Sequence, residues 1–227
     1  ALGHTVTLLG LSLALALAIA LPMGILAAVR AHTKLAYSIN LLAFAGISVP
    51  PFWIALLLIL VFAVILGVLP AGGSAAAAGA QGLWENLKYL VLPVASLTIA
   101  SISGHTRYMR AAMLETLRQD YIRTAFAKGF GTSRVVLGHA LRNAMIPVVT
   151  IIALDFGYLF SGALITETIF SFPGMGKLIF DAIMGNDFNL ALIALLFATL
   201  LTLTGNFLAD IAYTALDRCI SLTETAS

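Results

Sequence analysis

RTAFAKGFGTSRVVLGHALRNAMIP, residues 123–147, breaks into a chain that is otherwise mostly aliphatic. Arg123, Lys128, Arg134, Arg142 and His139 fall within it, around a Gly129-Phe130-Gly131 interruption. The 227 residues as a whole are 61% hydrophobic and 10% charged, where a soluble domain carries about 25% charged residues. Mean hydropathy is +1.04. Several runs outside the quoted stretch reach the roughly 20 apolar residues that a helix needs to cross a bilayer. A soluble globular domain is excluded. The pattern points to an all-α, polytopic transmembrane helical bundle, with the charged stretch outside the bilayer.

Working outward from that stretch, five spans are expected. The first covers about 5–29, with Pro22 and Gly24 near its far end, and the second about 35–69. The second is too long for one straight crossing at about 1.5 Å per residue, and Pro50-Pro51 is expected to kink or restart it. The Gly/Ala/Ser stretch 71–82 reads as a flexible loop. Three further spans follow at about 87–107, 141–165 and 189–216. The chain opens almost directly into an apolar run, without Met, so a preceding span is expected and would bring the total to six. The single cysteine, Cys219, excludes an intrachain disulfide and a thiolate metal cluster.

Charge orients the bundle. Arg30 and Lys34 follow the first span. Arg107, Arg110, Arg118, Arg123, Lys128, Arg134 and Arg142 follow the third, and Arg218 lies in the tail. All fall on one side of the membrane, leaving only Lys88 and Lys177 on the other. The basic side is cytoplasmic by the positive-inside tendency.

Within the cytoplasmic segment, DYIRTAFAK (120–128) places Tyr121, Ile122, Ala125 and Phe126 on one helical stripe, with Arg123 and Lys128 off it. Asp120 stands where a carboxylate favours a helix start. Gly129 supplies the freedom for a sharp turn after the helix. Thr132 or Ser133 is expected to cap a second helix leading through Leu141, with a bend at Pro147. Such a helix, turn and helix fits an amphipathic connector resting on lipid headgroups. It fits equally a protein-docking element that carries a rigid-body movement from a cytoplasmic partner into the bilayer.

The same segment resembles the EAA loop of ABC importer permeases. Thr124-Ala125 occupy its Ala-Ala positions and Gly129 its Gly, while Arg123 stands where Glu is usual. Leu141-Arg142 stands where Leu-Pro is usual, and Pro147 matches a further downstream Pro. In these departures it is similar to the dipeptide/oligopeptide/nickel branch, whose variant reads RTAxAKG…HALRNAxIP. SVPPFWIALLLILVFA (48–63), ETIFSFPGMGKLIFDAI (167–183) and DIAYTALDRC (210–219) resemble the same branch, the last lacking its Pro before Arg218. The resemblance covers almost the whole chain.

What the resemblance implies is a single type-1 transmembrane domain over 1–227, with 111–140 as its cytoplasmic coupling loop. A second homologous permease subunit would complete the pathway. Two cytoplasmic ATP-binding subunits would receive the loops, here through Tyr121, Arg123, Thr124, Ala125, Phe126, Lys128 and Gly129. An extracytoplasmic substrate-binding protein would meet an outer gate formed by Glu167, Phe170, Pro173, Gly174 and Gly176. The substrate would be peptide, nickel or glutathione, and the location the prokaryotic cytoplasmic (inner) membrane. No catalytic residue, cofactor, metal or nucleic acid is expected of this chain.

Other features compete with that reading. GMGKL (174–178) lacks the Gly and the Ser/Thr of a phosphate-binding loop; a short surface or re-entrant helix after Pro173-Gly174 is expected instead. Glu167 and Asp187 bound that segment, either touching a delivery protein or simply solvated. Asp155 and Asp210 lie in apolar spans, where acids are functional candidates; a packing contact with a neighbouring helix is the competing reading for Asp155, and a structural pairing with a basic loop residue the one for Asp210. Asp155 is the residue that an alternative, a proton- or sodium-coupled secondary transporter, would use, although no inverted repeat supports it. A membrane scaffold without transport is the third reading. His4, His32, His105 and His139 are scattered with no metal-ligand spacing. Ser103 and His105 point about 100° or more apart on a helix, which argues against a nucleophile and base pair.

Overall fold

The computed structural model describes residues 1–79 and 82–216, and the side chains within them apart from 83, 153–162, 208–210 and 212–216. Helix α1 spans Leu2–Val29 and runs through Pro22. Thr5, Leu8, Ser12, Ala16, Ala20, Gly24 and Ala28 recur along it every three or four residues and are all buried. That stripe of small side chains lets a second helix lie close, the means by which helices associate where lipid removes the hydrophobic drive. The second helix is α4. At Gly24 an added Cβ would stand 2.6 Å from the Met109 Cβ and 2.8 Å from the Thr106 carbonyl oxygen.

Helix α2, Lys34–Ser48, starts on a Thr33 cap whose side chain accepts the Ala36 N–H. Its end is dictated by the two prolines. Each disfavours the helical conformation in the residue before it, so Val49 and Pro50 are both extended. Pro51 then opens α3, Pro51–Leu58, at the position where a missing N–H costs least. A π-helical continuation carries it to Ile65. The two halves meet at 96°, so the expected restart is a sharp elbow.

Helix α4 covers Leu83–Leu117, well beyond the expected end at 107. Arg107 and Arg110 suggested an exit from the bilayer. Met109, Ala112, Met113 and Thr116 nevertheless continue a buried stripe at helical spacing, so the helix projects past the basic residues. Next come α5, Asp120–Ala127, and a single helical turn α6, Thr132–Arg134. A π-helical stretch Val135–Ala140 leads into α7, Leu141–Ile169, which continues through Pro147. Helix α8, Met175–Met184, is the expected short helix after the Pro-Gly turn, and α9 covers Phe188–Leu216. Among the described residues, four helical stretches are long and apolar enough to cross a membrane, and the bent α2–α3 pair makes a fifth if it is one span. The five-span bundle is what the composition required.

Two apolar clusters close the bundle at its ends. At the basic end, Ala28, Met109, Met113, Ile122, Val135 and Ala144 pack together. At the other, Leu8, Leu92, Leu97, Phe170 and Phe172 do so. The loop expected to be flexible is partly held at this outer end: Gly73 donates its N–H to the Phe170 carbonyl at 2.7 Å, and Ala75 is buried. Much of α9 presents apolar side chains outward, Leu192, Leu196, Leu203 and Phe207 among them, as lipid or a neighbouring membrane subunit requires.

Candidate functional site

The inner site is built on α5. At about 100° per residue, Ile122 and Ala125 form the middle of the apolar stripe, with Tyr121 and Phe126 at its two edges. The structure divides the stripe accordingly. Ile122 and Ala125 are 1% and 6% exposed and sit in the inner cluster, whereas Tyr121 and Phe126 remain 43% and 45% exposed. Of the expected docking residues, Ala125 therefore seats the helix on its own bundle, and the two aromatics stand outward with Arg123, Thr124 and Lys128. Arg123 and Asp120 approach to 3.4 Å on the exposed side, a pairing worth little in water.

The end of α5 is a Schellman motif. Phe130 donates its N–H to the Ala125 carbonyl and Gly129 to that of Phe126. The motif requires a left-handed residue after the cap, and Gly129 has φ of 84°. Phe130 then turns back onto the inner cluster. The Arg134 guanidinium lies 4.7 Å over its ring, and the His139 ring stacks on it at 5.8 Å. Tyr121 is tied to α7 as well, its hydroxyl accepting from Asn143 Nδ2 at 2.8 Å. The expected caps at Thr132 and Ser133 are not made; Gly131 is the N-cap and offers no side chain. Its carbonyl instead accepts the Val135 N–H.

The outer residues also come together, with one correction. Glu167, expected at the surface as a contact for another protein or as a solvated charge, is completely buried. It accepts the Thr5 hydroxyl at 2.6 Å on one oxygen, and the Gly176 and Lys177 N–H groups at 2.7 and 3.2 Å on the other. Gly174 is glycine for this carboxylate, since a Cβ there would overlap it, while a Cβ at Gly176 would collide first with the Leu164 backbone and then with the same carboxylate. Phe170 is buried beside it and Pro173 half-buried. His4 Nδ1 lies 3.2 Å from the Pro173 carbonyl oxygen. Asp187 is exposed and accepts the Leu190 N–H at 3.0 Å, capping α9. The side chains of Asp155 and Asp210 lie outside the described residues, as do Arg218 and Cys219.

Thr5, Asn143 and Phe130 escaped the sequence reading. A lone threonine near the start of an apolar run carries no signal of a partner 162 positions away. Phe130 has one, an aromatic between two glycines, although the sequence places it only in the turn.

The inner and outer groups stand at opposite ends of α7. Its 29 residues extend about 43 Å at 1.5 Å each, more than the roughly 30 Å of a hydrocarbon core.

Residues 20–222 match the family model described as "Binding-protein-dependent transport system inner membrane component". The oligopeptide transport system permease protein AppB of Bacillus subtilis is 40% identical over 216 residues, which are 95% of this chain and 68% of that protein. The dipeptide transport system permease protein DppB of Haemophilus influenzae is 39% identical over 209 residues, 84% of this chain and 62% of that one. Among solved structures, the MetNI methionine ABC transporter in an inward-facing form superposes with a TM-score of 0.78 at 18% identity, covering 95% of this chain and 94% of the matched one. That likeness is one of fold. These matches support an importer permease and lend nothing to an ion-coupled carrier. The chain belongs to the family of inner-membrane components of binding-protein-dependent transport systems, and is a multi-pass permease subunit.

Proposed function

We propose that this inner-membrane component forms half of the pathway of a peptide importer and takes its driving force from cytoplasmic ATPases through α5. The peptide assignment rests on relatives named as oligopeptide and dipeptide permeases. The coupling assignment rests on one observation above all. A helix of eight residues, too short to persist alone, is seated by Ile122 and Ala125 while Tyr121 and Phe126 stay uncovered at its edges. Paired aromatics on a fixed helix, rimmed by Arg123 and Lys128, make an anchor for a groove on a partner protein.

A second, homologous permease would supply the other half of the pathway, and two ATP-binding subunits would each hold one coupling helix. A binding protein would deliver substrate at the outer end. When ATP draws the two ATPases together, α5 would travel with its groove. The inner cluster, shared by α1, α4, α5 and α7, would pass that displacement to the spans as a rigid-body rotation. The chain itself would break no bond, ATP hydrolysis being the work of the partners.

The test is to purify the tagged chain from its native membranes beside Gly129→Asp. Asp at φ of 84° is strained but not crowded, since a Cβ there meets nothing within 4 Å. The variant should insert normally, retain the second permease and lose the ATPases. A wild-type chain that emerges alone and still transports after reconstitution would end the coupled-importer reading.

A further inference from the structure

We propose that Glu167 is the positioning residue of the outer mouth: its carboxylate binds the start of α8 and the start of α1 to the end of α7, so that the three ends move as one body. The structural part stands by itself; the transport consequence rests on the importer reading above.

A helix begins with N–H groups that have no acceptor of their own, and the residue before the helix normally supplies one from its side chain. Before α8 that residue is Gly174, which has none. All three leading N–H groups are met from elsewhere. Gly176 and Lys177 donate to Glu167 of α7, and Met175 donates to the Thr5 hydroxyl of α1 at 2.8 Å. That hydroxyl simultaneously donates to the other Glu167 oxygen, so it accepts from one helix and donates to another.

A serine at 174 could cap α8 locally, but it would leave α8 independent of α7. Glycine there delegates the cap to two other helices and makes room for the carboxylate, which a Cβ at 174 would displace; Gly176 lets the start of α8 lie against the Leu164 backbone of α7. Burying an ionised carboxylate is unfavourable unless donors replace its water. Here a hydroxyl and two backbone N–H groups do so, at the end of α8 where the helix dipole favours negative charge. The joint also sets what α8 shows outward. With Gly176, Ile179 and Ala182 packed inward, Phe180, Ile183 and Met184 are left exposed on the outer side. Their position relative to the pathway follows from where Glu167 holds the helix.

Hydrogen exchange read by mass spectrometry on the co-purified assembly in nanodiscs tests the joint, using wild type, Glu167→Ala, Glu167→Gln and Thr5→Val. In Glu167→Ala the Gly176 and Lys177 amides should exchange at least tenfold faster. Glu167→Gln should keep most of the protection, because its amide oxygen still accepts both N–H groups. Thr5→Val should expose Met175 alone, and peptides across 118–130 should not change. In proteoliposomes, uptake of a radiolabelled mixture of di- and tripeptides should fall at least tenfold in Glu167→Ala with the partners still bound, and Gln should restore most of it.

Exchange at 175–177 that stays within twofold of wild type in Glu167→Ala overturns the joint. Uptake at the wild-type rate despite a loosened α8 overturns its part in transport. Should Glu167→Ala loosen 118–130 as well, Thr5→Val decides: faster exchange confined to 175–177 supports the joint, and no change refutes it. A wild type that takes up none of the mixture defeats the peptide reading, while the exchange comparison still judges Glu167.

Discussion

Replacing Ile122 by Ala isolates the seat of α5. Ile122 is 1% exposed and lies in the inner cluster with Met109, Met113, Val135 and Ala144. Truncating a buried Ile to Ala typically costs about 2–5 kcal/mol, the spread reflecting how far the site collapses around the cavity. The eight residues of α5 cannot offset that loss internally, because helices this short are marginal in water even with favourable sequences. The cost therefore falls on local opening of α5 rather than on the spans. At the lower bound of about 2 kcal/mol, with about 1.4 kcal/mol per factor of ten, opening becomes roughly 30-fold more frequent. Amide exchange in peptides covering 120–130 should accelerate by about that factor, while peptides from α1 and α9 exchange as before. The assay is exchange mass spectrometry on the purified chain without its partners, so that docking does not mask the effect. Exchange within threefold of wild type would falsify the claim that Ile122 holds the helix.

Three further outcomes follow from neighbouring geometry. Phe126→Ser removes an exposed aromatic without touching the seat, so α5 exchange should stay within threefold of wild type while the ATPases fail to co-purify; retention of the ATPases at wild-type yield would remove Phe126 from the docking surface. Gly24→Leu forces a large side chain against the Thr106 carbonyl and Met109, an overpacking cost of about 1–3 kcal/mol or more. A lower melting temperature in detergent should report it, and an unchanged one would mean that α1 and α4 do not approach as closely as described. Asn143→Ala deletes the hydrogen bond to Tyr121, worth about 0.5–1.5 kcal/mol net, so exchange at 120–123 should rise only a few-fold and by far less than in Ile122→Ala.

What could be read from the sequence was local or periodic. Gly129 after an amphipathic octet announces a helix end, and the Schellman bonds appear there. Pro50-Pro51 forbids helix at 49 and 50, and the elbow follows. The apolar stripe of α5 is visible in the sequence as a set, but its division is not. Four side chains within about 140° of arc look alike until it is known how deep the helix lies, and only packing from α1, α4 and α7 supplies that depth. Glu167 was misplaced for the opposite reason. Charge near the end of an apolar span ordinarily signals solvent, and the donors that permit its burial belong to Thr5 and to backbone N–H groups, which carry no sequence signal. Resemblance alone points to glycines 174 and 176, while their physical reasons, room for a carboxylate at 174 and close approach to the Leu164 backbone at 176, appear only in three dimensions. The overlong α4 shows the same limit: Arg107 and Arg110 mark where the apolar run of the sequence ends, and a helix need not end with it.

The two ends of the molecule share their framework. Helix α1 contributes Leu8 and Leu9 to the outer cluster and Ala28 to the inner one, and Thr5 of the same helix completes the Glu167 joint. Helix α4 lies along it, contributing Leu92 and Leu97 outside and Met109 and Met113 inside. Close packing without voids has little compliance, and at Gly24 α1 and α4 approach so closely that a Cβ would collide with Met109 and the Thr106 carbonyl. A displacement imposed on α5 would therefore reach the outer joint as a tilt of the α1–α4 pair rather than as a local deformation. The elbow at 49–50 and the π-helical stretches Ile59–Ile65 and Val135–Ala140 are where the chain departs from regular α-helix, and such departures often mark functional sites. Rigid transmission through α1 and α4, with bending confined to those segments, is the division of labour that an alternating pathway driven from its cytoplasmic end would need.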